Sequence, residues 1–140
     1  MKPPAILRSA LPPLTAIACL GLLAGAPPVQ DAPPDWKAPA AAAKVANPVP
    51  VTPASLELGK KLFTRQCFAC HGAKGKGDGP DAADLEKKPH DLTAKSVKSQ
   101  TDGELFWKIT NGKLPMTAQE KLLTPEQRWA VINYLRSLQK

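Results

Sequence analysis

The chain has 140 residues, a formal net charge of +7 and 43% hydrophobic residues. A length of 140 residues suits one domain with appendages rather than several domains. Of the 16 prolines, 12 precede position 54, so the N-terminal part cannot supply much of a packed core. Residues 54–140 hold 15 Lys and Arg against 10 Asp and Glu, a balance that favours acidic partners.

Residues 1–26 predict an export signal. Basic residues precede an apolar run over residues 11–26, and its 16 residues are few for a membrane-spanning helix, which needs about 20. The small residues at positions 24–26 fit a cleavage site. Cys19 follows a sequence that resembles a bacterial lipobox, in which case it carries a lipid. A retained peptide anchor is the third interpretation.

Residues 27–53 are rich in Pro and Ala and poor in large apolar groups, which predicts an extended linker. Trp36 is the exception, because its large ring can dock on a folded domain. We place that domain over residues 54–140. Its first helix is predicted from apolar residues at helical spacing, namely Leu56, Leu58, Leu62 and Phe63.

Directly after this helix, Cys67, Cys70 and His71 form a Cys-x-x-Cys-His motif, the pattern of covalent c-type haem attachment. The two thiols can add to the two vinyl groups of one porphyrin, and the adjacent imidazole then serves as the proximal iron ligand. A zinc site normally needs four protein ligands, and only His90 remains to complete it. A dithiol redox centre would need alternating strands and helices, for which the sequence gives little signal. A short disulfide is the remaining alternative.

With this motif, residues 54–140 resemble a small bacterial monohaem cytochrome of class I, a c-type cytochrome. The resemblance implies an all-α fold of three to five helices around one haem c, attached through Cys67 and Cys70. Haem is attached outside the bacterial cytoplasm, so the motif and the export signal agree. We expect an exported protein, either periplasmic or anchored to the outer face of the inner membrane through Cys19 or the N-terminal segment.

The glycine-rich segment that follows the motif, residues 72–80, predicts a loop. It is not a phosphate-binding loop, because Asp78 stands where the lysine of that motif is required. Its acidic residues also lack the spacing of a calcium loop. The resemblance implies that Pro80 supplies the carbonyl that accepts the N–H of the proximal imidazole, His71.

Residues 88–93 resemble a Pro-x-Asp-Leu-Thr turn of these cytochromes, in which the second position, here His90, is usually exposed. We therefore expect His90 to face solvent. The alternatives are a second axial ligand and a contact to a haem propionate.

Two capping boxes predict two further helices, one from Thr101 with Glu104 and one from Thr124 with Gln127. Trp107 lies on the first of these helices. Its indole N–H can donate to a haem propionate, but packing on the core is the commoner role.

Met116 lies between these two helices and follows Pro115. The resemblance implies that Met116 is the distal ligand, so that His71 and Met116 together hold the iron. The alternative is a methionine that fills a gap in the core.

The resemblance also implies that the first and last helices cross closely. Gly59 and Phe63 match the pair on the first helix, and Val131 and Tyr134 match the pair on the last.

The implied function is a monohaem electron carrier, not an enzyme, that passes single electrons between redox partners in a periplasmic or membrane-associated chain. A haem subunit of a larger oxidase or dehydrogenase complex is one alternative. An open-site haem sensor or enzyme, in which Met116 is not a ligand, is another. We expect acidic redox partners and no nucleic acid, with docking through lysines near the motifs, namely Lys60, Lys61, Lys74, Lys76 and Lys113.

Overall fold

The computed structural model of the chain describes Met1 and residues 36–140. The described part contains five α-helices, which are α1 (Pro53–Gln66), α2 (Phe68–His71), α3 (Lys95–Lys98), α4 (Asp102–Asn111) and α5 (Pro125–Leu138). Short 3-10 helices cover Ala42–Lys44 and Ala82–Asp84, and no strand occurs between residues 36 and 140. The all-α prediction is confirmed. The predicted export signal, its Cys19 and the linker up to position 35 lie outside the described residues.

Each of the three long helices begins with a threonine capping box. The predicted boxes at Thr101 and Thr124 are both present, with each threonine side chain accepting the N–H of the third helical residue. A third box at Thr52 precedes α1, so this helix begins at Pro53, one residue before the predicted start of the domain. These caps satisfy N–H groups that a helix leaves unpaired at its N-terminus.

Helices α1 and α5 cross at Gly59, where the two backbones nearly touch. A Cβ at this position would lie 2.0 Å from the carbonyl oxygen of Ala130. One turn later, the rings of Phe63 and Tyr134 meet edge to face with centroids 5.4 Å apart. Val131 belongs to the same buried cluster as Phe63. The predicted helix crossing is therefore confirmed.

A second cluster of buried side chains joins α4 to α5. Phe106 stacks on Trp129 with ring centroids 4.0 Å apart, and Leu105 and Ile132 are buried beside them. The short helix α3 contributes Val97 to the same cluster. These contacts fix α4 against α5, and the two helices form one wall of a cavity.

Residues 36–53, expected to be a linker, pack against the helices. Ala42 is buried, and a Cβ added to Gly103 of α4 would lie only 2.0 Å from the carbonyl oxygen of Ala42. Asn47 donates to Asn133 of α5 at 2.8 Å, and Val49 packs against the core. Residues 36–53 thus dock on the helices through small and polar side chains that form no core of their own.

No helix in the described part of the chain is both long and apolar enough to cross a bilayer.

Candidate functional site

A cavity of about 260 Å³ lies among the helices and is lined mainly by apolar side chains. Its wall includes the candidate haem-binding residues Cys67, Cys70, His71 and Met116. Helices α1, α4 and α5 contribute Phe63, Leu105, Ile109, Val131 and Leu135 to the same wall. The fold therefore brings the thioether of Met116 to the same cavity as the two thiols and the imidazole of the motif, which lies far from Met116 in the sequence.

The backbone of α1 and α2 positions the Cys-x-x-Cys-His motif. The N–H of Cys67 donates to the carbonyl of Phe63 at 2.8 Å, which ties the motif to the end of α1. The N–H of His71 then donates to the carbonyl of Cys67 at 2.8 Å, so the motif forms a single helical turn. Gly72 ends this turn with a φ of 73°, a conformation that favours glycine. The motif is thus held by a packed helix.

Cys67 and Cys70 are both free thiols. Burial and, to a smaller extent, the charge of the neighbouring Cys70 raise the pKa of the Cys67 thiol to about 12. Reactive dithiol centres have the opposite property, a thiol whose pKa is lowered towards or below neutrality. The environment of Cys67 is therefore unlike that of a dithiol oxidoreductase.

His71 is held in its neutral form. Burial lowers the pKa of the imidazole, the charge of His90 adds to this effect, and the backbone carbonyl of His90 acts in the opposite direction. Nδ1 of His71 is buried and makes no hydrogen bond with any described residue, so the carbonyl of His90 is near the ring without completing a bond to Nδ1. A neutral imidazole is the form that coordinates a metal.

Pro80 is exposed and does not line the cavity, and the predicted hydrogen bond from His71 to its carbonyl is not formed. The glycine-rich loop reaches the motif through its backbone instead. The N–H of Gly77 donates to the carbonyl of His71 at 3.0 Å, and that of Gly79 donates to the carbonyl of Cys70 at 3.1 Å. The backbone group that acts on the His71 ring belongs to His90, in the following turn.

The turn at residues 88–93 brings His90 to the cavity wall. The side chain of Asp91 accepts from the N–H of Thr93 at 2.7 Å, and Lys76 pairs with Asp91 at 3.2 Å. Leu92 donates to the carbonyl of Gly75 at 2.7 Å, which fastens the turn to the glycine-rich loop. His90 is exposed, as expected, but it also lines the cavity.

Met116 is presented by a short loop between α4 and α5. Lys113 and Met116 exchange two backbone hydrogen bonds of 3.0 and 2.9 Å, which close the loop on itself. The N–H of Gln119 donates to the carbonyl of Ile109 at 3.0 Å and so ties the end of the loop to α4. This arrangement holds the thioether of Met116 on the cavity wall.

Sequence reasoning missed several residues of the wall, above all Trp36, Gln100 and Lys108. Trp36 precedes the expected domain, and Lys108 has a charged side chain that suggests a surface position. The available signal was the helical spacing of Leu105, Lys108 and Ile109, which puts all three on one face. Trp107 does not line the cavity and contacts Trp36, with ring centroids 6.2 Å apart.

These residues fit a c-type haem. The thiols lie within one turn of the imidazole, the wall suits an apolar macrocycle, and the thioether is a common partner to histidine in electron-transfer haems. His71 and Met116 could hold iron, and Cys67 and Cys70 could hold the porphyrin.

The cytochrome c family model matches residues 56–139. Among solved structures, a chain of the Kuenenia stuttgartiensis reducing HAO-like protein complex has 30% sequence identity and a TM-score of 0.61, over 69% of this chain and 50% of that chain. The KustC0563 c-type cytochrome has 24% identity and a TM-score of 0.51, over 59% of this chain and 98% of that one. The chain thus spans about half the length of the first of these. A search of curated proteins found no match.

The chain belongs to the cytochrome c family, and its domain is a class I c-type cytochrome domain. The family implies covalently bound haem c and a role in haem-based electron transfer.

Proposed function

We propose that this chain binds one haem c through thioether bonds to Cys67 and Cys70, with His71 and Met116 as the axial ligands, and carries single electrons between redox partners. The observation that supports this assignment is the shared cavity, whose wall brings the four side chains together. Haem, when bound, supplies a ferric and ferrous couple that accepts one electron from a donor and passes it to an acceptor.

The protein contributes binding and tuning. The neutral His71 would bind iron without first losing a proton, because burial lowers the pKa of its imidazole. The thioether of Met116 is a soft ligand that favours the ferrous state and so raises the reduction potential. If His71 and Met116 both hold the iron, they would leave no coordination position for a substrate. This argues for a carrier rather than an enzyme.

The setting of this function is a bacterial periplasmic or membrane-associated electron-transfer chain. Support comes from the sequence of residues 1–26, which has the pattern of an export signal, and from Cys19, which follows a sequence like a lipobox. The partners are redox proteins with acidic docking surfaces, because residues 54–140 hold 15 Lys and Arg against 10 Asp and Glu.

A second candidate is a haem subunit of a larger oxidase or dehydrogenase complex. The match to a chain of a multi-subunit HAO-like complex favours it, since that match covers 69% of this chain. Purification from the native source distinguishes the two roles. A carrier elutes alone, whereas a subunit elutes with its complex in fixed ratio.

Substitution of the motif cysteines tests the covalent attachment. After export with a haem maturation system, the double variant Cys67→Ser, Cys70→Ser should lose its haem in a denaturing gel stained for haem peroxidase activity. Each single variant should keep less haem than the unmodified protein, because one thioether replaces two. The variant Cys19→Ala is the matched control and should keep its haem fully. Haem that stays with the denatured double variant would contradict the proposal.

A further inference from the structure

Lys108 lies on the same face of α4 as Leu105 and Ile109, at a position where the helical spacing predicts an apolar side chain. Leu105, Lys108 and Ile109 all line the cavity, and Lys108 is only 9% exposed. Lysine is almost never this buried unless its charge is paired. The position therefore calls for a partner with negative charge.

The described residues supply no such partner in contact with Lys108. Its ammonium has three N–H donors, and the one acceptor that they meet is Oε1 of Gln100 at 2.6 Å. The ring of Trp36 lies 5.6 Å from the nitrogen. Glu104, one helical turn earlier, accepts the N–H of Thr101 at 2.7 Å as part of the capping box. Burial lowers the pKa of Lys108, and the charge of Glu104 only opposes this effect from a distance.

Gln100 is oriented so that its oxygen faces Lys108. Its side-chain amide donates to the carbonyl of Ser96 at 2.9 Å, which leaves Oε1 as the acceptor for the ammonium. Arg136 donates to the backbone carbonyl of Gln100 and, at 2.8 Å, to Asp102. Gln100 is thus fixed at both its backbone and its side chain, and the ammonium that it holds lies on the wall of the cavity.

We infer that Lys108 forms an ion pair with one of the two propionates of the haem and that Gln100 orients its ammonium for this contact. The inference rests on the proposed binding of one haem c in this cavity. A propionate supplies the carboxylate that the described residues do not. The other lysines of the wall, Lys87, Lys88 and Lys113, are exposed. Ion pairs between fully exposed groups are worth little, whereas a charge-assisted hydrogen bond to a partly buried ammonium on the cavity wall is stronger.

The test measures the protonation of each propionate. Haem labelled with carbon-13 at both carboxyl carbons, made by feeding labelled 5-aminolaevulinate, gives a separate NMR signal for each group. In the unmodified ferrous holoprotein, one propionate should titrate about 1–3 pH units below the other, because a nearby ammonium favours its charged form. The other titratable groups on the wall of the holoprotein are Lys87, Lys88, Lys113 and His90, because Cys67, Cys70 and His71 would be bonded to the haem. Glu104 faces Lys108 from its own helix.

Two variants assign the difference to Lys108. Lys108→Met removes the charge and keeps an unbranched apolar chain. The lower of the two propionate pKa values should therefore rise by about 1 pH unit or more, while the pKa of the other propionate stays unchanged. Gln100→Leu should move the same signal in the same direction by a smaller amount. Lys113→Met is the matched control, since it removes an exposed lysine from the same wall, and it should move neither signal by as much.

Several results would overturn the inference. If the two propionates of the unmodified protein titrate at the same pH, the inference is wrong, and no substitution is needed to show it. An unchanged titration in Lys108→Met, or an equal shift in Lys113→Met, would show that Lys108 has only a packing role against Trp36. In each of these cases the covalent haem is still present on a denaturing gel, so the proposed function stands. Absence of covalent haem in the unmodified protein would instead remove both proposals.

Discussion

Met116 and His90 both line the cavity, and their surroundings differ in a way that separates their roles. The backbone carbonyl of His90 raises the pKa of the His71 imidazole, which indicates that the turn of His90 lies beside that ring. A second iron ligand would have to come from another part of the cavity wall. Met116 belongs to a separate loop, between α4 and α5, that lines the same cavity. We therefore expect Met116 and not His90 to complete the coordination.

Substitution of each residue tests this assignment. Met116→Ala should abolish the weak far-red absorption of a sulfur-ligated ferric haem, lower the reduction potential and admit external ligands such as imidazole. His90→Ala is the matched control and should leave all three properties nearly unchanged, because it removes no ligand. The reverse pattern would identify a haem with two histidine ligands and would show that the loop of Met116 has another role.

Single residues differ in how well the sequence predicts them. The roles of Cys67, Cys70 and His71 are predicted from their spacing, because the chemistry of haem attachment requires that spacing. Lys108 was not found, since a charged residue indicates a surface position until its neighbours on the helix are known. Trp36 was considered only as a ring docked on the domain, because no local pattern shows that residues so far apart share a cavity.

At the scale of the helices, the crossing of α1 and α5 depends on Gly59. Its missing Cβ allows the carbonyl of Ala130 to approach, and any side chain here would collide with backbone rather than with a flexible group. Gly59→Ala should therefore force the helices apart and lower the free energy of unfolding by about 2 kcal/mol or more, despite the better helix propensity of alanine.

Urea unfolding of the haem-loaded protein measures this cost. Lys60→Ala is a suitable control, because it changes the next residue of the same helix at an exposed position and should alter the free energy of unfolding by less than about 0.5 kcal/mol. Equal stability of Gly59→Ala and the unmodified protein would mean that the close approach of the two helices does not determine their packing.

Helix boundaries were predictable where local hydrogen bonds set them. The boxes at Thr101 and Thr124 follow from a threonine with Glu or Gln three residues later, and both helices begin there. The box at Thr52 uses Ser55 instead and lies within a proline-rich segment, so it was missed. Pro80 shows the limit of such reasoning, because a sequence distance from His71 does not determine where a loop carbonyl points.

At the scale of the whole molecule, Asn133 joins the N-terminal segment to the closing helix. It is 2% exposed, accepts from Asn47 at 2.8 Å and donates to the carbonyl of Val49 at 3.1 Å. Proline-rich composition predicted a linker because composition records the lack of large apolar groups. It does not record hydrogen bonds made to a distant helix.

Removal of this side chain tests the attachment. Asn133→Ala leaves buried polar groups unpaired and should lower the free energy of unfolding by about 2 kcal/mol. It should also speed proteolysis within residues 36–50, while the haem spectrum stays unchanged. Asn111→Ala, an exposed asparagine that donates only within its own helix, is the control and should change neither property. A segment that is cleaved no faster in Asn133→Ala would show that other contacts hold it.

The charge of the whole molecule bears on how partners approach the cavity. Of the five lysines expected near the haem edge, Lys113 alone lines the cavity. Two exposed lysines that were not expected there, Lys87 and Lys88, also line it. Lys60, Lys61 and Lys74 are close to the motif in sequence but are not part of the wall. Leu114, beside Lys113, is 89% exposed on the same wall, so an apolar contact lies next to basic groups. A basic rim near an apolar centre is suited to a transient acidic partner.

Reversal of two of these charges tests whether this rim steers electron transfer. The double variant Lys88→Glu, Lys113→Glu should slow oxidation of the ferrous protein by anionic ferricyanide roughly tenfold at low ionic strength and speed oxidation by a cationic cobalt complex. Both effects should shrink in high salt, since surface charges are screened over about 8 Å at physiological ionic strength. Lys60→Glu is the control away from the cavity wall. Equal slowing by that control would mean that the net charge of the molecule, rather than the rim of the cavity, governs the approach of partners.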